Sequence, residues 1–95
     1  MHLSMHNWMR AEPLKVTVAR LAKYGYKSIE ISGEPEQYGL NGSKDTKKLL
    51  DDYGMKCWGS VTLMLGERNL VAGDPKKRAE SVKYTKDCIT MVKEL

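Results

Sequence analysis

The segment RLAKYGYKSIEIS, residues 20–32, joins the end of an amphipathic helix to a short apolar strand. Ile29 and Ile31 alternate with polar side chains, which predicts a strand that has one apolar and one polar face. Gly25 stands at the junction, where glycine suits the left-handed conformation that ends many helices. The same junction recurs as DYGMK at residues 52–56, so the chain repeats one helix–strand unit.

Outward from this segment, three predicted strands alternate with three predicted helices. Ser43 and Asp74 are suitable N-caps, and Pro13 fits the first turn of a helix. The predicted strands cover residues 3–8, 26–32 and 55–63, and the longer loops between elements cover residues 7–12, 33–42 and 64–73. The last predicted helix runs to the end of the chain, and its apolar residues are Val82, Cys88, Ile89, Val92 and Leu95.

Strands that alternate with helices in this way pair in parallel through helical crossovers. The repeat length matches the units of an eight-fold barrel, which takes about 250 residues. We therefore predict an α/β fold in which residues 1–95 are the first three units of a single TIM (β/α)8 barrel domain. A doubly wound sheet is the alternative, but Asn-Trp-Met-Arg occupies residues 7–10, where that fold carries its glycine-rich fingerprint.

Composition excludes several classes of protein. Hydrophobic residues make up 41% of the chain, as in an ordinary globular protein, and no apolar run is long enough to cross a membrane. The N-terminus lacks the features of a signal peptide, which predicts a cytoplasmic protein. Cys57 and Cys88 match no metal or redox spacing and are predicted to be reduced, packed thiols.

The net charge of +4 lies mainly on helix faces, which favours a solvated surface over nucleic-acid binding.

In a barrel, the strand residues of one parity face the interior, and sites form at the carboxyl ends of the strands. Strict alternation places five candidate substrate-binding residues on that inner face: His6, Trp8, Glu30, Trp58 and Ser60. A carboxylate between isoleucines is costly to bury, so Glu30 either accepts a substrate hydroxyl or forms a structural ion pair. His6 is either a packed histidine or a catalytic one. The tryptophans either stack on a sugar ring or pack in the core.

The long loop after the third predicted strand contains Glu67, Arg68 and Asn69. Polar clusters in such loops often bind substrate. Glu67 and Arg68 are therefore further candidates for the site. The alternative is that Arg68 only pairs with Glu67.

Three segments together resemble a known family. RLAKYGYKSIEISGEPEQY, LLDDYGMKCWGSVTLMLGERNL and DPKKRAESVKYTKDCITMVKEL are similar, in order, to the first three units of the sugar isomerase/epimerase superfamily, which has a xylose-isomerase-like TIM barrel. The shared features are the Ile-Glu-Ile strand, the Leu-Leu helix that ends in glycine, and the helix opened by Asp-Pro. The resemblance implies a metal-dependent carbohydrate enzyme that moves a proton next to a carbonyl group.

A narrower resemblance joins SMHNWMRAEP and WGSVTLMLGERNL to the large subunit of bacterial C-glycoside deglycosidases. It implies cleavage of the C–C bond of a 3-oxo-C-glycoside by elimination, with a divalent metal such as Mn²⁺ and a small β-rich partner subunit. The superfamily carries its metal ligands and catalytic groups on later strands. The resemblance therefore implies no catalytic residue and no metal ligand within this chain, which would supply substrate contacts to the rest of the barrel.

Three other functions remain open at this point. A sugar or sugar-phosphate isomerase or epimerase would use the same barrel. An abasic-site endonuclease of the same superfamily would need basic residues in its loops, whereas residues 33–42 contain two glutamates and no lysine or arginine. A non-catalytic fragment or interaction module would need none of this chemistry.

Overall fold

The computed structural model describes residues 3–7 and 12–95, and for residue 41 the backbone alone. Three strands, four α-helices and one 3-10 turn follow one another in this part of the chain. In order they are β1 (Ser4–His6), α1 (Leu14–Lys23), β2 (Ser28–Ser32), α2 (Pro35–Tyr38), a 3-10 turn (Leu40–Gly42), α3 (Ser43–Asp52), β3 (Lys56–Val61) and α4 (Pro75–Glu94). β2 begins two residues later than predicted but ends at Ser32 as predicted, whereas β3 is shorter than predicted at both ends.

The strands form one parallel sheet in the order β1-β2-β3. Each strand thus lies beside the next strand in the sequence, with a helical connection between them. This is the predicted architecture of consecutive βα units, and it brings the carboxyl ends of all three strands to one edge of the sheet.

Most of the residues that were predicted to start or end helices do so in the structure. Gly25 and Gly54 adopt φ angles of +85° and +63°, so each ends a helix in the left-handed conformation. Asp74 accepts a hydrogen bond from the amide of Lys76 at 2.9 Å and caps α4, as predicted. Ser43 is not an N-cap: it begins α3, and its hydroxyl donates to the carbonyl of Leu40 at 3.0 Å.

Residues 33–42 are not the irregular loop that their composition suggested. Pro35 opens the short helix α2, because proline loses nothing at a first helical position. Tyr38, at the end of α2, is buried against the core. α2 thus follows β2 at the carboxyl edge of the sheet.

The core lies between the sheet and the helices. Ile29 and Ile31 are fully buried, together with Val18 of α1, Leu50 of α3 and Met91 of α4. The apolar parity of β2 therefore faces the helices, as its alternation predicted.

The buried face of α4 differs from the predicted one. Its buried residues are Ser81, Tyr84, Cys88 and Met91. Val82 and Ile89 are instead 42% and 65% exposed. The apolar pattern did not predict this face because two of its buried side chains, Ser81 and Tyr84, are polar. Both form hydrogen bonds, which allows them to be buried.

Candidate functional site

One polar row crosses the inner face of the sheet, opposite the helices. His6 pairs in register with Glu30, and Glu30 pairs with Gly59 on the other side. Both His6 and Glu30 are half-buried. Three strands thus place an imidazole, a carboxylate and a glycine side by side, as the inward parity of β1 and β2 predicted.

Gly59 lies beside the carboxylate of Glu30. A Cβ atom at position 59 would lie 3.5 Å from Oε1 of Glu30, which is ordinary van der Waals contact. The side chain of Glu30 therefore extends over the glycine. Among the described residues no cation forms a salt bridge with Glu30. The structural ion pair that the sequence left open is not formed within the described part of the chain.

A β-bulge changes the alternation in β3. Cys57 pairs with Ile29, but the next residue of β2, Glu30, pairs with Gly59, so Trp58 is the extra residue. The indole Nε1 of Trp58 donates to the hydroxyl of Ser28 at 3.0 Å. Trp58 therefore lies on the inner face, as predicted, and the residue is 57% exposed.

The bulge overturns the predicted position of Ser60. After the extra residue, Ser60 pairs with Ile31, whose side chain faces the helices. Ser60 accordingly lines an apolar groove beside α4, next to Cys88 and Val92. Its hydroxyl has no hydrogen-bond partner among the residues that the structure describes. The prediction that Ser60 faces the inner side of the sheet is wrong, because strict alternation does not survive a bulge.

Trp8 falls within residues 8–11, outside the described residues. Its predicted place after β1 stays a prediction.

A buried hydrogen-bond network at the carboxyl ends of β1 and β2 escaped the sequence analysis. The side-chain oxygen of Asn7 accepts from the amide of Ser32 at 2.7 Å, and its nitrogen donates to the Ser32 hydroxyl at 3.4 Å. That hydroxyl donates to Oε2 of Glu34 at 2.9 Å. Burial raises the pKa of the nearby Tyr38 phenol, and the negative charge of Glu34 adds to the effect. A signal was present in the sequence, because Asn7 directly follows β1, Ser32 ends β2 and Glu34 lies two residues further on.

The same substitution at Ser32 and at Ser60 tests which hydroxyl is hydrogen-bonded in the structure. Ser32→Ala removes a fully buried hydroxyl with two partners, so we expect the full-length protein to lose about 1–2 kcal/mol of stability in urea unfolding. Ser60→Ala removes a hydroxyl that has no described partner, so stability should stay within about 0.5 kcal/mol. An equal loss in both variants would contradict the reversed parity of β3.

In the loop between β3 and α4, Glu67 and Arg68 have different partners. Glu67 forms a salt bridge of 2.6 Å with Lys77 on α4. The hydrogen bond from Lys77 lowers the pKa of Glu67, so this exposed carboxylate is ionised at neutral pH. The guanidinium of Arg68 lies over the ring of Tyr84, with its central carbon 4.0 Å from the ring centroid. Arg68 is therefore not the partner of Glu67.

A cleft of about 440 Å³ lies at this edge of the sheet, between the end of β2 and the first half of α4. Glu34 and Gln37 line one side, and Arg68, Ser81 and Tyr84 line the other. The volume is suited to a small molecule. Two loop candidates from the sequence, Glu67 and Arg68, border this cleft, whereas His6, Glu30 and Trp58 lie on the inner face of the sheet.

The thiols are not part of this arrangement. Cys57 is half-buried and Cys88 is buried, and neither forms a disulfide. Burial raises the pKa of both, so both are protonated at neutral pH. Their predicted state as reduced, packed thiols agrees with this.

Within residues 3–7 and 12–95, no three side chains of the histidine, cysteine, aspartate or glutamate type converge to hold a metal ion. No helix in this part of the chain combines the length and the apolar character that a membrane span needs.

The parallel βα units are the architecture of the N-terminal part of an α/β barrel. Residues 18–95 match the family described as xylose isomerase-like TIM barrel. The match covers most of the chain, so the chain belongs to the xylose isomerase-like TIM barrel family. This confirms the predicted fold class and the broader of the two resemblances.

Among solved structures, the chain is similar to the D-psicose 3-epimerase of Clostridium cellulolyticum H10, determined with D-tagatose. The TM-score is 0.78 at 18% sequence identity, over 99% of this chain and 34% of the epimerase chain. The chain thus spans well under half of the epimerase, and the likeness concerns the fold. No curated protein matches the chain in sequence.

Proposed function

We propose that this chain forms the N-terminal substrate wall of a sugar isomerase/epimerase-type enzyme. The observation that carries the proposal is the row of His6, Glu30 and Gly59 on the inner face of the sheet. In TIM barrels the interior near the carboxyl ends of the strands is where substrates bind. The row offers a hydrogen-bond acceptor, an imidazole and open space in one layer of that interior.

The charges around the cleft support a neutral, hydroxyl-rich ligand. Carboxylates outnumber cations among its lining residues, which are Glu34, Glu36, Glu67, Glu80 and Asp87 against Arg68 and Lys83. A phosphate group would be repelled by this excess of negative charge, whereas sugar hydroxyls can donate to carboxylates. The lining therefore favours a free sugar or glycoside over a sugar phosphate, and it disfavours the backbone of an abasic DNA site.

The roles proposed for this chain are binding roles. Glu30 would accept a hydrogen bond from a sugar hydroxyl, and the exposed ring of Trp58 would contact the C–H face of the sugar. His6 would hold a second oxygen in the same layer. Asn7 and Ser32 would keep Glu34 oriented toward the cleft.

The finer proposal is cleavage of a 3-oxo-C-glycoside. A base removes the proton next to the 3-oxo group, and the electron pair forms a carbon–carbon double bond as the bond between sugar and aglycone breaks. The aglycone leaves with that bonding pair and takes up a proton. The support for this version is the similarity of SMHNWMRAEP and WGSVTLMLGERNL to the deglycosidase large subunit.

A divalent metal, with Mn²⁺ preferred, belongs to this proposal, as does a small β-rich partner subunit. A bound metal would polarise the sugar carbonyl. The described residues do not form a metal centre of their own. The resemblance to the superfamily implies that the metal ligands lie on later strands of the barrel, outside this chain.

The test is an assay of the full-length protein with Mn²⁺ and a 3-oxo-C-glucoside, followed by chromatography of the aglycone. We expect aglycone release that stops when a chelator removes the metal. Parallel reactions contain a ketohexose, a ketohexose phosphate or a duplex with an abasic site. Epimerisation of the free ketohexose without aglycone release would retain the sugar enzyme and reject the deglycosidase. Activity on the phosphate or the DNA alone would contradict the charge argument, and inactivity throughout would favour an interaction module.

A further inference from the structure

Tyr84 connects three elements through one hydroxyl group. The hydroxyl donates to the carbonyl of Gly33 at 2.6 Å and accepts from the amide of Leu63 at 2.8 Å. Gly33 directly follows β2, and Leu63 lies just beyond β3. Since Tyr84 itself belongs to α4, this phenol fixes the carboxyl ends of two neighbouring strands against the helix. Burial raises the pKa of the phenol, so it stays protonated and able to donate.

The ring of Tyr84 also supports Arg68. The guanidinium lies over the ring face, and Nη1 donates to the carbonyl of Leu63 at 2.9 Å. The neighbouring carboxylate of Glu67 is bound to Lys77 instead. Among the described residues no carboxylate forms a salt bridge with Arg68, so its other N–H donors are available at the cleft.

The same face of α4 holds the loop at two further points. The Ser81 hydroxyl accepts from the amide of Asn69 at 2.7 Å, and Lys77 holds Glu67 at 2.6 Å. Lys77, Ser81 and Tyr84 lie at helical spacing on one side of α4, so each turn of the helix contacts the loop once. Arg68 lies between these contacts and is thereby restricted in position.

We propose that Tyr84 is a positioning residue of the cleft, which holds Arg68 so that its free donors face the oxygen atoms of a bound sugar. This inference rests on the proposed function. Arginine is suited to the task because its planar fork loses little freedom when its stem and one edge are already fixed. A side chain held in advance raises affinity by lowering the ordering cost of binding.

The test compares Tyr84→Phe, Arg68→Ala and the double variant in the full-length protein. Tyr84→Phe keeps the ring but removes both hydrogen bonds, so we expect KM for the accepted sugar to rise about 3- to 10-fold with kcat within about twofold. Arg68→Ala should raise KM at least as much. The double variant should be no worse than Arg68→Ala, because the two residues act as one unit. Tyr24→Phe, at a tyrosine that is 70% exposed, is the control.

A second measurement separates this inference from the proposed function. Hydrogen exchange of the amides in residues 62–70 reports the loop directly and needs no substrate. We expect faster exchange there in Tyr84→Phe and no change in Tyr24→Phe. If this result came from a protein that turns over no sugar, the proposed function would fail, but Tyr84 would still be shown to hold the loop that carries Arg68. Unchanged exchange in this segment, or independent effects of Tyr84 and Arg68 on KM, would overturn the positioning role.

Discussion

Glu30→Gln in the full-length protein is expected to lower kcat/KM for the accepted sugar by about 10- to 100-fold, because a charge-assisted hydrogen bond to substrate is lost. Glutamine has almost the same shape, so packing on the inner face should be retained. The melting temperature should change by only a few degrees, since the described residues provide no cation in a salt bridge with Glu30. Steady-state kinetics and thermal unfolding of the same preparations measure both quantities.

The matched control for Glu30 is Glu94→Gln, which makes the same change at an exposed carboxylate near the end of α4. We expect this variant to behave like the parent protein in both measurements. A large fall in melting temperature with normal kcat/KM in Glu30→Gln would identify Glu30 as a structural residue of the barrel interior. That outcome would remove the main support for the proposed substrate wall.

The sequence predicted the fold because its local signals agree with one another. The alternation in β2 and the glycines at positions 25 and 54 each depend on neighbouring residues only. Asp74 with Pro75 likewise marks the start of α4 from local preference. When strand alternation, helix-ending glycines and helix N-caps recur in the same order, few folds other than parallel βα units are possible.

The candidate site was less predictable because its geometry depends on contacts between distant residues. The bulge at Trp58 arises from pairing with β2, and it moves Ser60 to the helix side of the sheet. The salt bridge from Lys77 to Glu67 exists because the loop lies along α4, ten positions further along the chain. Periodicity places a side chain on a face only while the register is regular, and it cannot choose between nearby charged partners.

Gly33 shows how closely the carboxyl ends of the strands approach α4. A Cβ atom at this position would lie 2.6 Å from the Tyr84 hydroxyl oxygen and 2.8 Å from the carbonyl oxygen of Val61. The Gly33 amide also donates to that carbonyl at 2.7 Å, so the backbone cannot move away without losing the bond. The space around Gly33 is therefore limited by the carbonyl of Val61 and by the Tyr84 hydroxyl, which is itself held by two hydrogen bonds.

Gly33→Ala should therefore destabilise the full-length protein by about 1–3 kcal/mol in urea unfolding, as overpacking does elsewhere. Gly73→Ala and Gly59→Ala are the controls, because a Cβ atom meets nothing within 4 Å at the first and makes only a 3.5 Å contact at the second. Part of the cost at Gly33 comes from the Tyr84 hydroxyl. The same substitution in a Tyr84→Phe background should thus cost less than in the parent, whereas equal costs in both backgrounds would show that the phenol does not confine Gly33.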